Sequence, residues 1–279
     1  MMRGWLAAAA LALSLGTAPA QAACGIGEPA CDVPMGSYHI ATPDGPGPHP
    51  TVIFLHGYGS SSESSLRVGA PMLARGYAVI GPQGLRRGDG DGPSSWSFHP
   101  EFPRARDERA FLKEIVADAE ARHGIDPTRI LLTGYSIGGS MTSYLACEDP
   151  GFARAYAPLA GAFWRPHPPL DACAGPVDLF HTHGWVDGTV PIEGRPLGGG
   201  RIQQGDVFYA MQVWREVNDC AGLKPDSFDI GELYWRRSWE TCANGSLEFA
   251  LHPGGHGIPR GWANMVIDWF ETLPPAAIR

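Results

Sequence analysis

The 279-residue chain carries 21 basic against 29 acidic residues, a formal charge of -8. That balance argues against nucleic acid or an anionic membrane as a partner. The length suits one large α/β domain or two small ones, and the high Gly and Pro content calls for many loops.

The N-terminus reads as an export signal. Arg3 supplies the positive start, Trp5 to Leu15 the apolar run, and Ala20-Gln21-Ala22 an A-x-A cleavage site. The run is too short to span a bilayer, and no later stretch is long enough. Cleavage after Ala22 would release residues 23–279 as one soluble domain, secreted or periplasmic, with a charge of about -9 once Arg3 is lost. Gln21 stands where a lipid-anchoring signal wants an aliphatic residue, which argues against an anchor on Cys24. Six cysteines fit an oxidising compartment. Sequence neighbours suggest the pairs Cys24–Cys31, Cys147–Cys173 and Cys220–Cys242 among about 15 possible connectivities. No C-x-x-C pair invites a metal.

Short apolar strands are expected at 37–41, 51–55, 77–80, 130–133, 153–159, 177–181 and 247–251. Helices are expected at 62–75, 107–123, 206–217 and 262–273, with another after residue 136. In the 107–123 helix Phe111, Leu112, Ile115, Val116 and Ala119 share one face, and Gly124 ends it. Asp126-Pro127 reads as a turn. The segments 84–103, carrying Trp96 and Phe98, and 220–242, carrying Tyr234, Trp235 and Trp239, read as a long loop and an irregular surface excursion. Strands alternating with helices imply a mostly parallel sheet covered on both faces, with sites at the carboxyl ends of its strands.

The residues capable of chemistry fall at those ends. Gly134-Tyr135-Ser136-Ile137-Gly138 fits the G-x-S-x-G elbow between a buried strand and a helix. The turn lifts a serine hydroxyl clear of the sheet, and glycines at 134 and 138 let strand and helix approach. The helix N-terminus favours an oxyanion, with the Ile137 N–H as one donor. His56-Gly57-Tyr58-Gly59 follows an early strand and offers the Tyr58 N–H as the second donor. A serine nucleophile needs a base, and the base an orienting acid, in the chain order Ser, acid, His. Asp187, in the loop after a strand, and His256, in the Gly-rich Pro253-Gly-Gly-His256 loop, fit that order. Asp178 competes with Asp187 but sits at the wrong end of its strand. His252 competes with His256 but lies nearer the strand body. His181 and His183, two apart, raise a metal reading that finds no third ligand. No metal or cofactor is expected.

With these motifs in hand the chain resembles the secreted esterases grouped with polyhydroxybutyrate depolymerases and feruloyl esterases, in the α/β-hydrolase superfamily. Phe54-Leu-His-Gly-Tyr-Gly59, Thr133-Gly-Tyr-Ser-Ile-Gly-Gly-Ser-Met141, Leu159-Ala-Gly161, His183-Gly-Trp-Val-Asp-Gly-Thr-Val-Pro191 and Pro253-Gly-Gly-His256 carry the resemblance, as do Cys24 and Cys31 before the first strand. It implies an α/β-hydrolase catalytic domain over 23–279 with a Ser136–Asp187–His256 triad and oxyanion donors at Tyr58 and Ile137. The expected substrate is a small or oligomeric ester of the 3-hydroxyalkanoate type, the chain having no room for an added polymer-binding domain. A feruloyl or acetyl-xylan esterase is the alternative, a peptidase a distant third, and a catalytically silent binding module the reading from another class. Two departures leave the acyl preference open: Trp185 in place of a small residue, and Pro82-Gln83-Gly84 in place of Pro-Asp-Gly. Trp185, with Trp96, Trp235 and Trp239, is a candidate for an aromatic substrate-binding rim.

Overall fold

The computed structural model describes residues 24–88 and 90–274. The expected signal segment, 1–22, lies outside them. One sheet of ten strands runs through the chain. In chain order these are β1 (Cys31–Val33), β2 (Gly36–Ala41), β3 (His49–Leu55), β4 (Ala78–Pro82), β5 (Ile125–Tyr135), β6 (Ala155–Leu159), β7 (Asp178–Gly184), β8 (Ser227–Ile230), β9 (Trp235–Trp239) and β10 (Ser246–His252). Their spatial order is β1-β2-β4-β3-β5-β6-β7-β10-β9-β8. The six strands from β4 across to β10 pair in parallel; the pairs at both edges are antiparallel.

The parallel centre needs apolar side chains on both faces, and the sequence supplies them with period two. Along β3, Ile53 and Leu55 join one core layer while Val52 and Phe54 join the other. The first layer packs against α2 (Glu108–His123), α3 (Ile137–Glu148) and α4 (Val207–Val217), through residues such as Phe111, Met141 and Trp214. The second packs against α1 (Ser62–Leu73) and α5 (Trp262–Thr272), through Leu66, Met72, Trp262 and Phe270. Local signals begin and end these helices: Asp107 caps α2 by accepting from the Ala110 N–H at 3.0 Å, and Gly124 at φ 63° ends it in the left-handed conformation. All three disulfides join the expected neighbours, Cys24–Cys31, Cys147–Cys173 and Cys220–Cys242. Among the described residues, no helix is long and apolar enough to cross a membrane.

Three expectations need correction. The 220–242 segment is not irregular: β8 and β9 form a hairpin that extends the sheet, with Trp235 opposite Leu251 and Trp239 opposite Leu247. Arg236 and Arg237, consecutive and so on opposite faces of β9, break the apolar pattern on both faces. The Asp126-Pro127 pair does not separate two elements. Asp126 turns the chain locally by accepting from the Thr128 N–H and hydroxyl, and the ladder to β3 absorbs this as a register shift. The 84–103 loop holds a two-residue pairing, Leu85–Arg86 with Ser94–Ser95, and a small separate sheet joins Trp164–Arg165, Ile202–Gln204 and Pro196–Leu197.

Candidate active site

The sharpest feature of the backbone is Ser136. It sits between β5 and α3 at φ 59°, ψ -120°, a conformation that costs a residue with a side chain about 1–3 kcal/mol. The surroundings hold it there. Its N–H donates to the Leu159 carbonyl at 2.9 Å and its carbonyl accepts from Ser140 at 2.9 Å. The flanking glycines are required by close approach: a Cβ on Gly138 would collide with the Leu55 carbonyl, and one on Gly134 would stand 2.5 Å from the Gly138 carbonyl.

Two further strand ends complete a hydrogen-bonded chain. The Ser136 hydroxyl and His256 Nε2 are 2.9 Å apart, and His256 Nδ1 lies 2.7 Å from Asp187 Oδ2. A carboxylate can only accept, so Nδ1 carries the proton and Nε2 is left to accept from the serine hydroxyl. Asp187 is buried. Its other oxygen accepts from the Thr189 and Val190 N–H groups, both at 2.8 Å. Burial alone would raise this carboxyl; the His256 bond and the two backbone donors outweigh it and hold its pKa below the usual value. The carboxylate therefore stays ionised next to the imidazole.

The turn that carries the second expected oxyanion donor abuts the serine: a Cβ on Gly57 would stand 3.7 Å from that of Ser136. The Ile137 N–H opens α3, and neither it nor the Tyr58 N–H is engaged by another group among the described residues. The Tyr58 loop is positioned by His56, a residue with no role in the sequence reading. His56 is buried; its Nδ1–H donates to the Gly57 carbonyl at 2.8 Å and its Nε2 accepts from the Gly84 N–H at 3.0 Å. Burial lowers its pKa, so it keeps the neutral form that both bonds require. Trp96 Nε1–H donates to the His56 carbonyl at 2.8 Å, tying the 84–103 loop to the same turn.

The competing residues are occupied elsewhere. Asp178 pairs with Arg154 and accepts from the Ser246 hydroxyl. His252 is buried, with Nδ1 accepting from the Gly254 N–H. His181 and His183 stack at 5.4 Å; the His181 Nε2–H donates to His183 Nδ1, and the His183 Nε2–H donates to the Val190 carbonyl at 2.7 Å. They lie behind the Asp187 loop and hold it. Tyr135, the variable residue of the elbow motif, proves to face His256: the rings are 4.9 Å apart and its hydroxyl donates to the His256 carbonyl at 3.1 Å.

A cavity of about 400 Å³ opens beside Ile137. Trp96, Phe98, Phe102 and Trp164 line it, with Ile202 from the small sheet. Trp96 thus meets the aromatic expectation, and Trp164 joins it from outside the motifs. Trp239 does not: it is buried on β9. Trp185 lies in the turn after β7, its ring 55% exposed and outside the cavity wall. Trp235 is exposed on β9. Gln83 also turns away. Its side-chain carbonyl accepts from the Ser62 N–H and hydroxyl, both at 3.0 Å, so this departure steadies the start of α1.

Comparison with known proteins agrees with this geometry. Feruloyl esterase B of Piromyces equi is 28% identical over 241 residues, 80% of this chain and 42% of that protein. Poly(3-hydroxyalkanoate) depolymerase C of Paucimonas lemoignei is 30% identical over 118 residues, 42% of this chain and 28% of that one. The chain thus spans less than half the length of either relative. The solved acetyl xylan esterase from Aspergillus awamori shares the fold at a TM-score of 0.63 and 15% identity, over 84% of this chain and 93% of that one. A family model described as the alpha/beta hydrolase family matches residues 52–276, from within β3 to beyond the last helix. This chain belongs to the alpha/beta hydrolase family.

Proposed function

We propose that the protein is an exported serine esterase that hydrolyses carboxylic esters through an acyl-enzyme, with 3-hydroxyalkanoate oligomers as its substrates. The observation that carries the chemistry is the unbroken run from the Ser136 hydroxyl through His256 to the buried Asp187, beneath two free N–H groups. His256 Nε2 takes the serine proton as Oγ attacks the ester carbonyl. The oxyanion rests on the Tyr58 and Ile137 N–H groups. The C–O bond to the leaving alcohol breaks as His256 returns the proton to that oxygen. Water, deprotonated by His256, then attacks the acyl carbonyl, and the proton passes back to Ser136. Asp187 fixes the tautomer and stabilises the imidazolium throughout.

The depolymerase relative supports the hydroxyalkanoate reading, and three disulfides with no free cysteine among the described residues support export. A second reading, a feruloyl or acetyl-xylan esterase, is favoured by the aromatic cavity and by the other relative. The test is a panel of 3-hydroxybutyrate oligomers, methyl ferulate, acetylated xylan and short p-nitrophenyl esters. Ser136→Ala is expected to lose about 10⁴-fold or more in kcat on every substrate turned over, with an unchanged fold. Activity in that variant near wild type would refute the nucleophile. Selective turnover of methyl ferulate would install the second reading.

A further inference from the structure

The cavity beside Ile137 has a polar side that the hydrolytic chemistry does not use. Arg86 and Arg87, both exposed, line its rim, and neither forms an ion pair or side-chain hydrogen bond among the described residues. The Arg87 guanidinium lies 5.5 Å over the ring of Tyr58, the residue whose N–H is the proposed oxyanion donor. Among the described lining residues there is no carboxylate to neutralise the pair. Arg106, just before α2, shows the contrast: it is buried and spent on Glu108.

Deeper in the wall are two buried polar atoms that close no hydrogen bond of good geometry, the Ser95 hydroxyl and His99 Nε2, the latter near the Arg165 carbonyl. Such atoms are ordinarily satisfied. His99 Nδ1 accepts from the Glu101 N–H at 3.2 Å, and burial keeps the ring neutral, so Nε2 carries a hydrogen to donate. One wall of the cavity therefore offers apolar rings and the other offers hydrogen-bond donors and two fixed positive charges. A neutral aromatic ester answers the rings alone.

We propose that this cavity is the subsite for a free carboxylate on the ester substrate, with Arg86 and Arg87 as its counter-charges and Ser95 and His99 as donors to the oxygens between that carboxylate and the scissile bond. Arginine suits the task because its planar fork matches a carboxylate and never loses its charge. A linear hydroxyacid oligomer carries such a carboxylate on the molecule that holds the ester. The inference rests on Ser136 being the nucleophile and selects the hydroxyacid class within that reading.

The test is calorimetric binding to the Ser136→Ala protein of the linear 3-hydroxybutyrate dimer, as the free acid and as its methyl ester. Turnover of the same pair by the active enzyme is measured alongside. The free acid is expected to bind about tenfold to a hundredfold more tightly, the range of a charge-assisted hydrogen bond. The Arg86→Gln/Arg87→Gln double variant should bring that ratio near one, and Arg86→Lys/Arg87→Lys should recover part of it. Equal binding of acid and methyl ester, no binding of either, or a ratio that survives loss of both arginines would overturn the subsite. An arginine-dependent preference in binding without turnover by the serine enzyme would uphold the subsite and refute the esterase reading. Turnover without preference would do the reverse.

Discussion

The Asp187–His256 corner and the 84–103 loop flank the same serine but are held by different means. In the corner, Asp187 takes two backbone donors, the Val190 carbonyl that follows takes the His183 N–H, and the Trp185 and Val186 N–H groups donate to the carbonyls of His252 and Gly254. The two parallel strands that deliver acid and base are thus laced together past their ends. Among its described residues the 84–103 loop has a two-residue pairing, a few tight backbone turns, and one backbone tie to the neighbouring turn, the Gly59 N–H donating to the Ser94 carbonyl at 2.9 Å. Side chains hold it: Trp96 on His56, Glu108 accepting from the Ser97 N–H, and Arg106 spanning to the Gln83 carbonyl. The reacting groups rest on backbone geometry that many sequences can supply. The cavity wall rests on particular side chains, which makes it the part that can change with substrate.

Breaking the corner at its acid should give the largest effect. Asp187→Asn leaves the shape but offers the His256 ring an amide that stabilises the wrong tautomer. A fall of about 10⁴-fold in kcat is expected, with thermal unfolding within a few degrees of wild type. Steady-state kinetics on a p-nitrophenyl ester, next to a melting curve, checks both halves. A variant within tenfold of wild type would dissolve the proposed triad.

Breaking the loop at its ion pair should act on stability first. Arg106 and Glu108 are both buried, 2.7 Å apart, and burial works against the charge of each. Removing one leaves the other desolvated and unpaired. Arg106→Ala is expected to cost about 3–5 kcal/mol in urea unfolding, whereas an isosteric apolar pair at both positions should cost far less. If the single and double replacements cost the same, the pair is not what holds the wall.

The same division decides what could be read from the chain. That Ser136, His256 and Asp187 lie within hydrogen-bond reach of one another could be anticipated because each follows an apolar strand in a fixed order, and a strand end is a local signal. Tyr58 and Ile137 were named with them, since the role proposed for them belongs to the backbone N–H. The parallel centre was legible for the same reason, through runs such as 51–55. The 220–242 hairpin was not: Arg236 and Arg237 place a charge on each face and interrupt the apolar pattern, and the neighbouring strand is what makes it a sheet edge. Nor was the cavity. Its walls come from 85–105, Ile137, Trp164 and Ile202, and nothing in the spacing of those residues brings them together. His56 was given no role and His183 was weighed only as a metal ligand or loop packing, because a histidine's partners, here backbone carbonyls, leave no mark on the sequence.

His183 sharpens the comparison from within the corner. Its Nε2 lies 3.7 Å from Asp187 Oδ2 and bonds the Val190 carbonyl, so it is a positioning residue for the acid loop. His183→Leu should let that loop drift and lower kcat about tenfold to a hundredfold, the cost of a misplacement on the order of 1 Å, with KM little changed. His183→Gln, which keeps a donor near the same place, should recover part of the loss. Equal losses in both variants would reduce His183 to packing.

The smallest effect separates the two histidines from the acid they support by pH. Burial, the largest cause in each, keeps His181 and His183 neutral in the folded protein, with His181 held well below the usual histidine range. In the unfolded chain their pKa returns to about 6.5. Below that pH the unfolded state binds protons that the folded state does not, so stability falls as pH falls, by up to about 1.4 kcal/mol per unit for each such histidine. Asp187 works in a lower window: its depressed carboxyl contributes stability that is present above about 3.9 and lost only as pH falls further. Urea midpoints between pH 7 and 5 should therefore decline, the buried His56, His99 and His252 adding to the slope and the raised carboxyls of Glu108 and Glu248 opposing it. His181→Gln should make that decline shallower by its own share while leaving the loss below pH 4 in place. A slope unchanged by that substitution would mean that His181 already shares its proton with solvent, contrary to a ring that is 1% exposed and bonded only to His183.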